Sequence, residues 1–295
     1  MDPTILVCGA TGTIGSALVR VLTGRGVPVR AFVRDRARAR LLRHPLVEVA
    51  EGDFRRPTSI DAALDGIDRV FLLSPPAPDQ VLLQGNVVEA VQRTGRDIHL
   101  VKVSAYGVAP GAPIQLMRWH AITEAQITNA GLRATCLRPH SFMQNLLAAA
   151  PTLHAEGVLY GAFGDVPLPL VDARDVAAVA AEVLTGTGHE GQVYTLTGPE
   201  LLTYTGVAAT LTRVLGRSVT YVDLPLERYR GTLLAGGVPG WLASGLTELA
   251  QSFREGPIPT VTSTVAHLVG RPARSLEAFV HEHADAFRPP ARTAA

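Results

Sequence analysis

The stretch that decides the fold is Thr4-Ile5-Leu6-Val7-Cys8-Gly9-Ala10-Thr11-Gly12-Thr13-Ile14-Gly15. Its first five residues are apolar or β-branched, which predicts a short buried strand. After the last glycine, apolar side chains recur at helical spacing (Leu18, Val19 and Leu22), which predicts a helix directly after the turn. A strand that runs through a glycine-rich turn into a helix is typical of dinucleotide-binding folds.

Each glycine of this turn has its own steric reason. Gly9 permits the tight turn, Gly12 lacks the Cβ that would block a pyrophosphate, and Gly15 lets helix and strand pack closely. The free N–H groups at the start of the helix then face the phosphates, and threonine hydroxyls add donors. The predicted cofactor-binding residues here are Gly9, Thr11, Gly12, Thr13, Ile14 and Gly15. A strand–turn–helix joint without a ligand is the alternative interpretation.

Short β-rich runs alternate with helical stretches through the first half of the chain. The predicted strands are residues 4–8, 27–33, 47–51, 69–73, 98–104 and 133–137. The predicted helices between them are residues 13–23, 36–43, 59–64, 78–94 and 114–129. Strands that are almost continuously apolar and separated by helices are typical of a parallel sheet buried on both faces. With right-handed crossovers, this pattern predicts an α/β fold with a doubly wound parallel Rossmann sheet.

The rhythm changes after residue 151, where glycines and prolines interrupt the chain. We predict an NAD(P)-binding Rossmann domain over residues 1–154, to which residues 172–197 return as a helix (173–184) and a strand (192–196). Residues 155–171 and 198–288 are predicted to form a smaller, mostly helical C-terminal substrate lobe. Its expected helices are 203–215, 226–235, 241–253, 262–268 and 276–287. Residues 289–295 are expected to be a flexible tail.

The composition excludes several classes of function. The 295 residues carry a formal net charge of +1 and only 5% aromatic residues, which argues against nucleic-acid binding. No apolar run approaches the roughly 20 residues of a membrane helix, and Met1-Asp2-Pro3 is not typical of a signal peptide. The two cysteines form neither a disulfide framework nor a metal-site spacing. These features predict a cytoplasmic protein with no membrane or nucleic-acid partner and no metal.

The glycine spacing is Gly-x-x-Gly-x-x-Gly, and further stretches accompany it. They are VRAFVRD (29–35), EGDF (51–54), VFLLSP (70–75), WHAITE (119–124), LRPHSFMQN (137–145) and VDARDVA (171–177). With these motifs, nearly the whole chain resembles the atypical short-chain dehydrogenases/reductases, in particular the NmrA-like family of NAD(P)-binding proteins and quinone reductases. The resemblance implies that Asp53 and Phe54 border the adenine. It also implies that Ser74 and Pro75 lie along the ribose toward the nicotinamide.

The end of the second predicted strand selects between the two nicotinamide cofactors. An acidic residue there binds the ribose 2′-hydroxyl of NAD, whereas an arginine accommodates the 2′-phosphate of NADP. The chain has Arg34 at this point, followed by Asp35. We therefore predict NADPH, with Arg34 on the phosphate. NADH stays open as the alternative, because Asp35 would serve if Arg34 pointed away.

The usual acid of short-chain dehydrogenases is missing. Their Tyr-x-x-x-Lys pair would fall on Leu116 and His120 in this chain. In the NmrA-like branch, which the sequence resembles, a histidine is common at the lysine position. We predict His120 as a catalytic residue, either on the nicotinamide ribose or as a proton donor. Tyr106 and Ser104, near the end of the fifth strand, are the other predicted catalytic residues. The nearby Lys102 is interpreted as structural or rim-facing.

The segment after the sixth strand is expected to close over the nicotinamide. Pro139 and Phe142 are predicted to contact the cofactor there. Phe142, Met143 and Leu146 are predicted to line the substrate pocket, with ordinary core packing as an equally good alternative. Trp241 is a further candidate for this apolar pocket.

The leading hypothesis is an NADPH-dependent reductase that transfers hydride to a small apolar electrophile (a quinone, enone or imine), with secondary metabolism as one setting. One alternative is a non-catalytic NmrA-like redox sensor that regulates a partner protein. Such a sensor predicts an exposed apolar patch around Trp241 and Leu246. Another alternative is an isomerase or dehydratase that uses the bound cofactor. The sequence leaves a homodimer open.

Overall fold

The computed structural model describes residues 4–288 and is built around a parallel β-sheet. The strands of this part of the chain are β1 (Ile5–Cys8), β2 (Val29–Val33), β3 (Val47–Glu51), β4 (Arg69–Leu72), β5 (His99–Val103), β6 (Ala134–Pro139), β7 (Val158–Gly161), β8 (Val193–Leu196) and β9 (Thr220–Asp223). Seven of them form one parallel sheet in the order β3-β2-β1-β4-β5-β6-β8. The order reverses between β1 and β4, where a doubly wound sheet opens a crevice for ligands.

Helices cover both faces of this sheet and make up most of the C-terminal part of the chain. They are α1 (Thr13–Gly24), α2 (Pro57–Ala63), α3 (Gln80–Arg93), α4 (Gln115–Asn129), α5 (Ala150–Glu156), α6 (Ala173–Thr185), α7 (Tyr204–Leu215), α8 (Leu226–Ala235), α9 (Gly240–Glu255), α10 (Thr264–Val269), α11 (Leu276–Glu282) and α12 (Ala284–Phe287). Two 3₁₀ segments lie at Arg38–Leu42 and Met143–Ala149. The predicted α/β fold with a doubly wound parallel sheet is confirmed.

Strand β1 shows how the sheet is buried on both faces. Ile5 and Val7 point into the core beneath α1 and α6, whereas Leu6 and Cys8 point into the core on the opposite face, beneath α2 and α3. All four side chains are almost completely inaccessible to water. Because alternate residues of a strand face opposite sides of the sheet, a strand buried on both sides must be apolar throughout.

A second core lies in the C-terminal part of the chain. It packs helices α7, α11 and α12 around a two-stranded parallel sheet of β7 and β9. The sequence prediction lacked α5, β7 and β9. It was also wrong about two helices: the predicted helix 36–43 is the 3₁₀ segment Arg38–Leu42, and the predicted helix 276–287 divides at His283 into α11 and α12. His283 has φ −107° and ψ 17°, which is not helical.

Two buried aspartates hold α6 in place. The Asp172 carboxylate accepts a hydrogen bond from the backbone N–H of Arg174 at 2.8 Å and caps the helix. Asp175 accepts from the Arg271 guanidinium at 2.8 Å and from the backbone N–H of Arg274 at 2.7 Å. These bonds tie the segment after α10 to the helix that packs on the sheet.

Both cysteines lie on strands of the sheet, where burial shields their thiols from water. Cys8 is buried, and its burial raises the pKa of the thiol from 9.0 to about 12. Cys136, on β6, is half-buried, and its burial raises the pKa of its thiol to about 11. Neither cysteine takes part in a disulfide.

None of the helices within residues 4–288 is both long enough and apolar enough to cross a membrane. The predicted flexible tail, 289–295, lies outside the described residues. The division into a domain at 1–154 with 172–197, and a lobe at 155–171 with 198–288, stays a proposal.

Candidate active site

A cleft of about 640 Å³ lies at the carboxyl ends of β1 to β4, where the strand order reverses. Most of the predicted cofactor residues line it: Gly9, Thr11, Gly12, Thr13, Ile14, Arg34, Asp53, Phe54, Ser74, Pro75 and Phe142. The sequence analysis missed other lining residues, among them Phe32, Arg38, Arg55, Gln144 and Asn145. Ligands of doubly wound sheets bind in this position.

The glycine turn forms the floor of the cleft. Gly9 has φ +68°, a left-handed conformation that favours glycine. The N–H of Gly12 donates to the Gly9 carbonyl oxygen at 2.9 Å, and Gly12 is the N-cap of α1 with no side-chain hydrogen bond. The first N–H groups of α1 are therefore free of a side-chain cap, which suits an anionic diphosphate.

Gly15 supports this turn from beneath and does not line the cleft. A Cβ at this position would stand 2.1 Å from the Gly9 carbonyl oxygen and 2.9 Å from the Cα of Ala10. The first turn of α1 therefore presses directly on the backbone of the loop. The predicted reason for glycine here was close packing of helix and strand; the structure shows that the helix packs on the turn directly after the strand.

The arginine and the aspartate after β2 face different ways. Arg34 is exposed and lines the cleft. Asp35 accepts a hydrogen bond from the backbone N–H of Ala37 at 2.8 Å and lies 3.8 Å from the Arg38 guanidinium. Asp35 is not part of the cleft wall, whereas Arg38 is. Arg34 and Arg38 therefore face the cleft, whereas Asp35 does not. This arrangement favours binding of a cofactor with a 2′-phosphate.

At the ends of β2 and β3 the cleft has an aromatic wall. Phe54 stacks on Phe32 with ring centroids 5.5 Å apart. Asn86 donates to the Phe54 carbonyl oxygen at 2.7 Å, and Asp53 accepts from the backbone N–H of Arg55 at 2.9 Å. These bonds fix the loop after β3 in a position where its backbone and rings border the cleft.

The segment after β6 differs from the prediction in part. Phe142 lines the cleft, but Pro139, the last residue of β6, does not. Met143 and Leu146 do not line the cleft either, because the 3₁₀ segment turns both side chains into the C-terminal core, where each is buried. Core packing, the alternative weighed for these two residues, is therefore what the structure shows.

Trp241 also lies outside the cleft wall. Its ring packs on Trp119 of α4, with centroids 5.9 Å apart. Trp241 and Leu246 are half-buried, so the exposed apolar patch that the redox-sensor hypothesis predicts is not present at these residues.

None of the three predicted catalytic residues, Ser104, Tyr106 and His120, lines the cleft. The buried Ser104 hydroxyl donates to the Glu124 carboxylate at 2.5 Å, and Glu124 also pairs with Arg138. Tyr106 is half-buried and packs against the ring of His140, with centroids 4.8 Å apart. Ser104 thus holds α4 to the sheet, and Tyr106 remains the more accessible of the two hydroxyls.

His120 meets an unexpected partner. The Nδ1 atom of His120 lies 3.0 Å from Nζ of Lys102, which is completely buried on β5. The interpretation of Lys102 as rim-facing was therefore wrong. Nζ also donates to Oε1 of Gln84 at 3.0 Å, and Nε2 of Gln84 donates to Oγ of Ser74 at 2.8 Å. A continuous chain of hydrogen bonds thus joins His120 to the cleft wall.

Burial changes the proton affinity of both groups in this pair. It lowers the pKa of Lys102 from 10.5 to about 8, although Cys136 and Glu124 act in the opposite direction. Burial and the neighbouring Lys102 together lower the pKa of His120 well below 6.5. At neutral pH the lysine is therefore the charged partner and the imidazole is neutral.

His140 was not selected from the sequence, yet it stands at the end of β6 in an aromatic stack. Its ring lies between Tyr106 and Phe253, with centroids 4.8 Å and 5.1 Å away. Its Nδ1 accepts from the backbone N–H of Ser141 at 2.8 Å, and its buried Nε2 has no partner among the described residues. Burial lowers the pKa of His140 from 6.5 to about 4, so its ring is neutral.

The sequence model of the NmrA-like family matches residues 1–279. The chain belongs to the NmrA-like family. Two relatives of this NmrA-like protein match it over nearly their full length. An NAD(P)H azoreductase from Xenophilus azovorans is 40% identical, over 96% of this chain and 99% of the relative. A (4-alkanoyl-5-oxo-2,5-dihydrofuran-3-yl)methyl phosphate reductase from Streptomyces griseus is 38% identical, over 97% and 99%.

A solved structure is similar to this NmrA-like protein along the whole chain. The NADPH-dependent quinone oxidoreductase of Escherichia coli in complex with NADPH superposes with a TM-score of 0.87. It is 30% identical over 95% of this chain and 99% of the other. Together these relatives confirm the predicted family, the predicted fold and the predicted class, an NAD(P)H-dependent oxidoreductase.

Proposed function

We propose that this NmrA-like protein is an NADPH-dependent reductase of small, flat electrophiles such as quinones and azo compounds. The observation that carries the proposal is the cleft itself. It combines the glycine turn at the start of α1 with Arg34 at the end of β2, at the point where the sheet reverses. The azo and quinone acceptors come from the names of relatives at 40% and 30% identity.

The residues of the cleft fit the cofactor along its length. The N–H groups of the turn at Gly12 would hold the diphosphate, Arg34 the 2′-phosphate, and Phe54 the adenine. Ser74 and Phe142 would border the nicotinamide end. When bound, the dihydronicotinamide supplies a hydride to the acceptor. The chain itself would orient the acceptor, exclude water and provide a proton through His120 or Tyr106.

A turnover assay tests the proposed function. Purified protein is mixed with NADPH and, in turn, a benzoquinone, an azo dye, an enone and an imine, and loss of reduced nicotinamide is followed by absorbance. We expect protein-dependent oxidation of NADPH with at least one acceptor. Reactions without protein correct for direct chemical reduction. Tight NADPH binding in calorimetry without turnover of any acceptor would contradict the proposal.

The role proposed for Arg34 makes a separate prediction. Replacing Arg34 by alanine should raise the KM for NADPH by roughly 10–100-fold, because charge-assisted hydrogen bonds to a phosphate are lost. The KM for NADH, which has no 2′-phosphate, should change by less than about threefold. Arg36→Ala is the matched control, because Arg36 is exposed in the same loop but does not line the cleft. Equal losses for NADPH and NADH in Arg34→Ala would disprove the assignment.

The remaining predictions about partners and location stay proposals. A small-molecule acceptor is the partner that the cleft and the reductase relatives support. The predicted cytoplasmic location is supported by the use of NADPH, the reductant that cells maintain there. A homodimer stays a prediction.

A further inference from the structure

Lys102 is the only lysine of the chain, and its ammonium group is buried between β5 and the helices α3 and α4. Three acceptors surround Nζ: Oε1 of Gln84 at 3.0 Å, the carbonyl oxygen of Val103 at 3.1 Å and Nδ1 of His120 at 3.0 Å. Burying a cation is costly unless hydrogen bonds compensate it. These bonds saturate the three donors of an ammonium group, so Lys102 is accommodated in its charged form.

This arrangement determines which nitrogen of His120 carries the proton. A lysine ammonium group only donates hydrogen bonds, so Nδ1 of His120 must be the acceptor. In a neutral imidazole the proton then resides on Nε2. His120 therefore presents an N–H donor on the side of its ring that faces away from Lys102.

We propose that Lys102 is the proton reservoir of the reductase and delivers its proton to the acceptor through the imidazole ring of His120. This inference rests on the proposed function. In the proton step, the Nε2–H bond of His120 breaks as the reduced acceptor takes the proton. The Nζ–H bond of Lys102 breaks as Nδ1 takes another. No electrons move in this step, since the hydride has already brought both to the acceptor. Lys102 is then a neutral amine, and His120 carries its proton on Nδ1. Both groups are restored when Nε2 of the half-buried His120 takes a proton from solvent and Nδ1 returns its proton to Nζ.

The charges around Lys102 are few. From α4 the groups that face this region are His120 and Glu124, and the latter is neutralised by Arg138 of β6. From β6 the Cys136 thiol lies opposite Lys102 in the sheet register. From α3 the uncharged Gln84 is the contact. The titration of Lys102 is therefore governed by its burial, by His120 and by the Glu124–Arg138 pair.

The proposal separates two classes of acceptor. Hydride addition to an azo or imine bond leaves a strongly basic nitrogen anion, which needs a proton as it forms. Hydride addition to a quinone leaves a weakly basic phenolate, which needs much less help. Lys102 should therefore matter more for azo and imine acceptors than for quinones.

The sole lysine permits a direct measurement of its titration. Lysine labelled with ¹³C at Cε gives one side-chain signal in the apo-protein, and we expect its inflection near pH 8. The rate of azo reduction should fall with rising pH at the same inflection, as Lys102 loses its proton. In Gln84→Glu a carboxylate replaces the amide beside Nζ. Both the signal and the fall in rate should then move together to higher pH.

Lys102→Met tests the relay itself, because methionine is unbranched and carries no proton. We expect the azo rate to fall by about 100-fold, the scale of general acid catalysis, and to lose its alkaline decline. The quinone rate should fall by less than about tenfold. NADPH affinity by calorimetry should be kept, because Lys102 does not line the cleft. If Lys102→Met fails to fold, the Gln84→Glu comparison decides.

The outcomes separate this proposal from the proposed function. Equal losses for both acceptors with the alkaline decline still present in Lys102→Met would overturn the relay. In Gln84→Glu, a signal that moves without the rate would overturn it as well. If the wild-type protein turns over no acceptor at all, that result contradicts both the proposed function and the relay. Turnover that persists unchanged in Lys102→Met overturns the relay alone.

Discussion

Replacing Gly15 by alanine is expected to weaken NADPH binding by about 100-fold, the equivalent of about 3 kcal/mol. The added Cβ would stand 2.1 Å from the Gly9 carbonyl oxygen, a distance at which the backbone itself must move. The movement displaces the N–H groups of the turn from the position that we propose for the diphosphate. Titration calorimetry with NADPH measures the effect, and thermal unfolding should show a loss of stability alongside it.

Gly24, at the other end of α1, provides the matched control. It has no atom within 4 Å of where a Cβ would be, so Gly24→Ala should leave NADPH affinity unchanged. Its stability should be unchanged or slightly higher, because alanine favours the helix. Wild-type affinity in Gly15→Ala would contradict the packing argument for the glycine turn, and with it the assignment of this turn to the cofactor.

Stability is expected to fall steeply as the pH is lowered from about 6.5 toward 4. Burial lowers the pKa values of His99 and His140 from 6.5 to about 4, and that of His120 also falls. Between these pH values the unfolded chain binds protons that the folded chain does not, so protonation favours unfolding. The stability is fully present above pH 6.5. The loss should approach roughly 3 kcal/mol for each of His99 and His140 by pH 4.

Urea unfolding at a series of pH values measures this loss. Asp172, whose burial is outweighed by its hydrogen bonds with Arg174 and Gln144, has a lowered pKa and weakens the fold further at acid pH. Replacing His140 by glutamine should make the fall between pH 6.5 and 4 smaller by roughly 3 kcal/mol, whatever its effect at neutral pH. An unfolding free energy that stays level across this range would disprove the assignment of neutral, buried histidines.

Sequence analysis predicted correctly those parts of the fold that depend on residues adjacent in the chain. The strand, the turn and the helix around Gly9 and Gly15 are contiguous, so the local sequence was enough to predict this strand–turn–helix joint. Arg34 follows directly on a strand of the same sheet, and its place in the cleft follows from that position. The strands β7 and β9 were not predicted, because each is a four-residue run that is only partly buried and lacks the continuously apolar character of β1.

Residues that depend on distant partners were harder to place. Lys102 alternates with valines in β5, and nothing local indicates that Gln84 and His120 approach it from two separate helices. Gln84 did carry a signal, since it is a polar residue on the buried face of α3 that includes Val87 and Val88. Met143 was placed wrongly because the 3₁₀ turn after Phe142 directs it into a core built by residues far along the chain.

The protonation state of the two cysteines determines whether quinones could inactivate such a reductase covalently. Quinones arylate thiolates by conjugate addition, and an enzyme that handles them repeatedly risks covalent inactivation. With thiol pKa values of about 12 at Cys8 and about 11 at Cys136, almost no thiolate exists at neutral pH. An electrophile bound to this protein would therefore meet no readily ionised cysteine thiol.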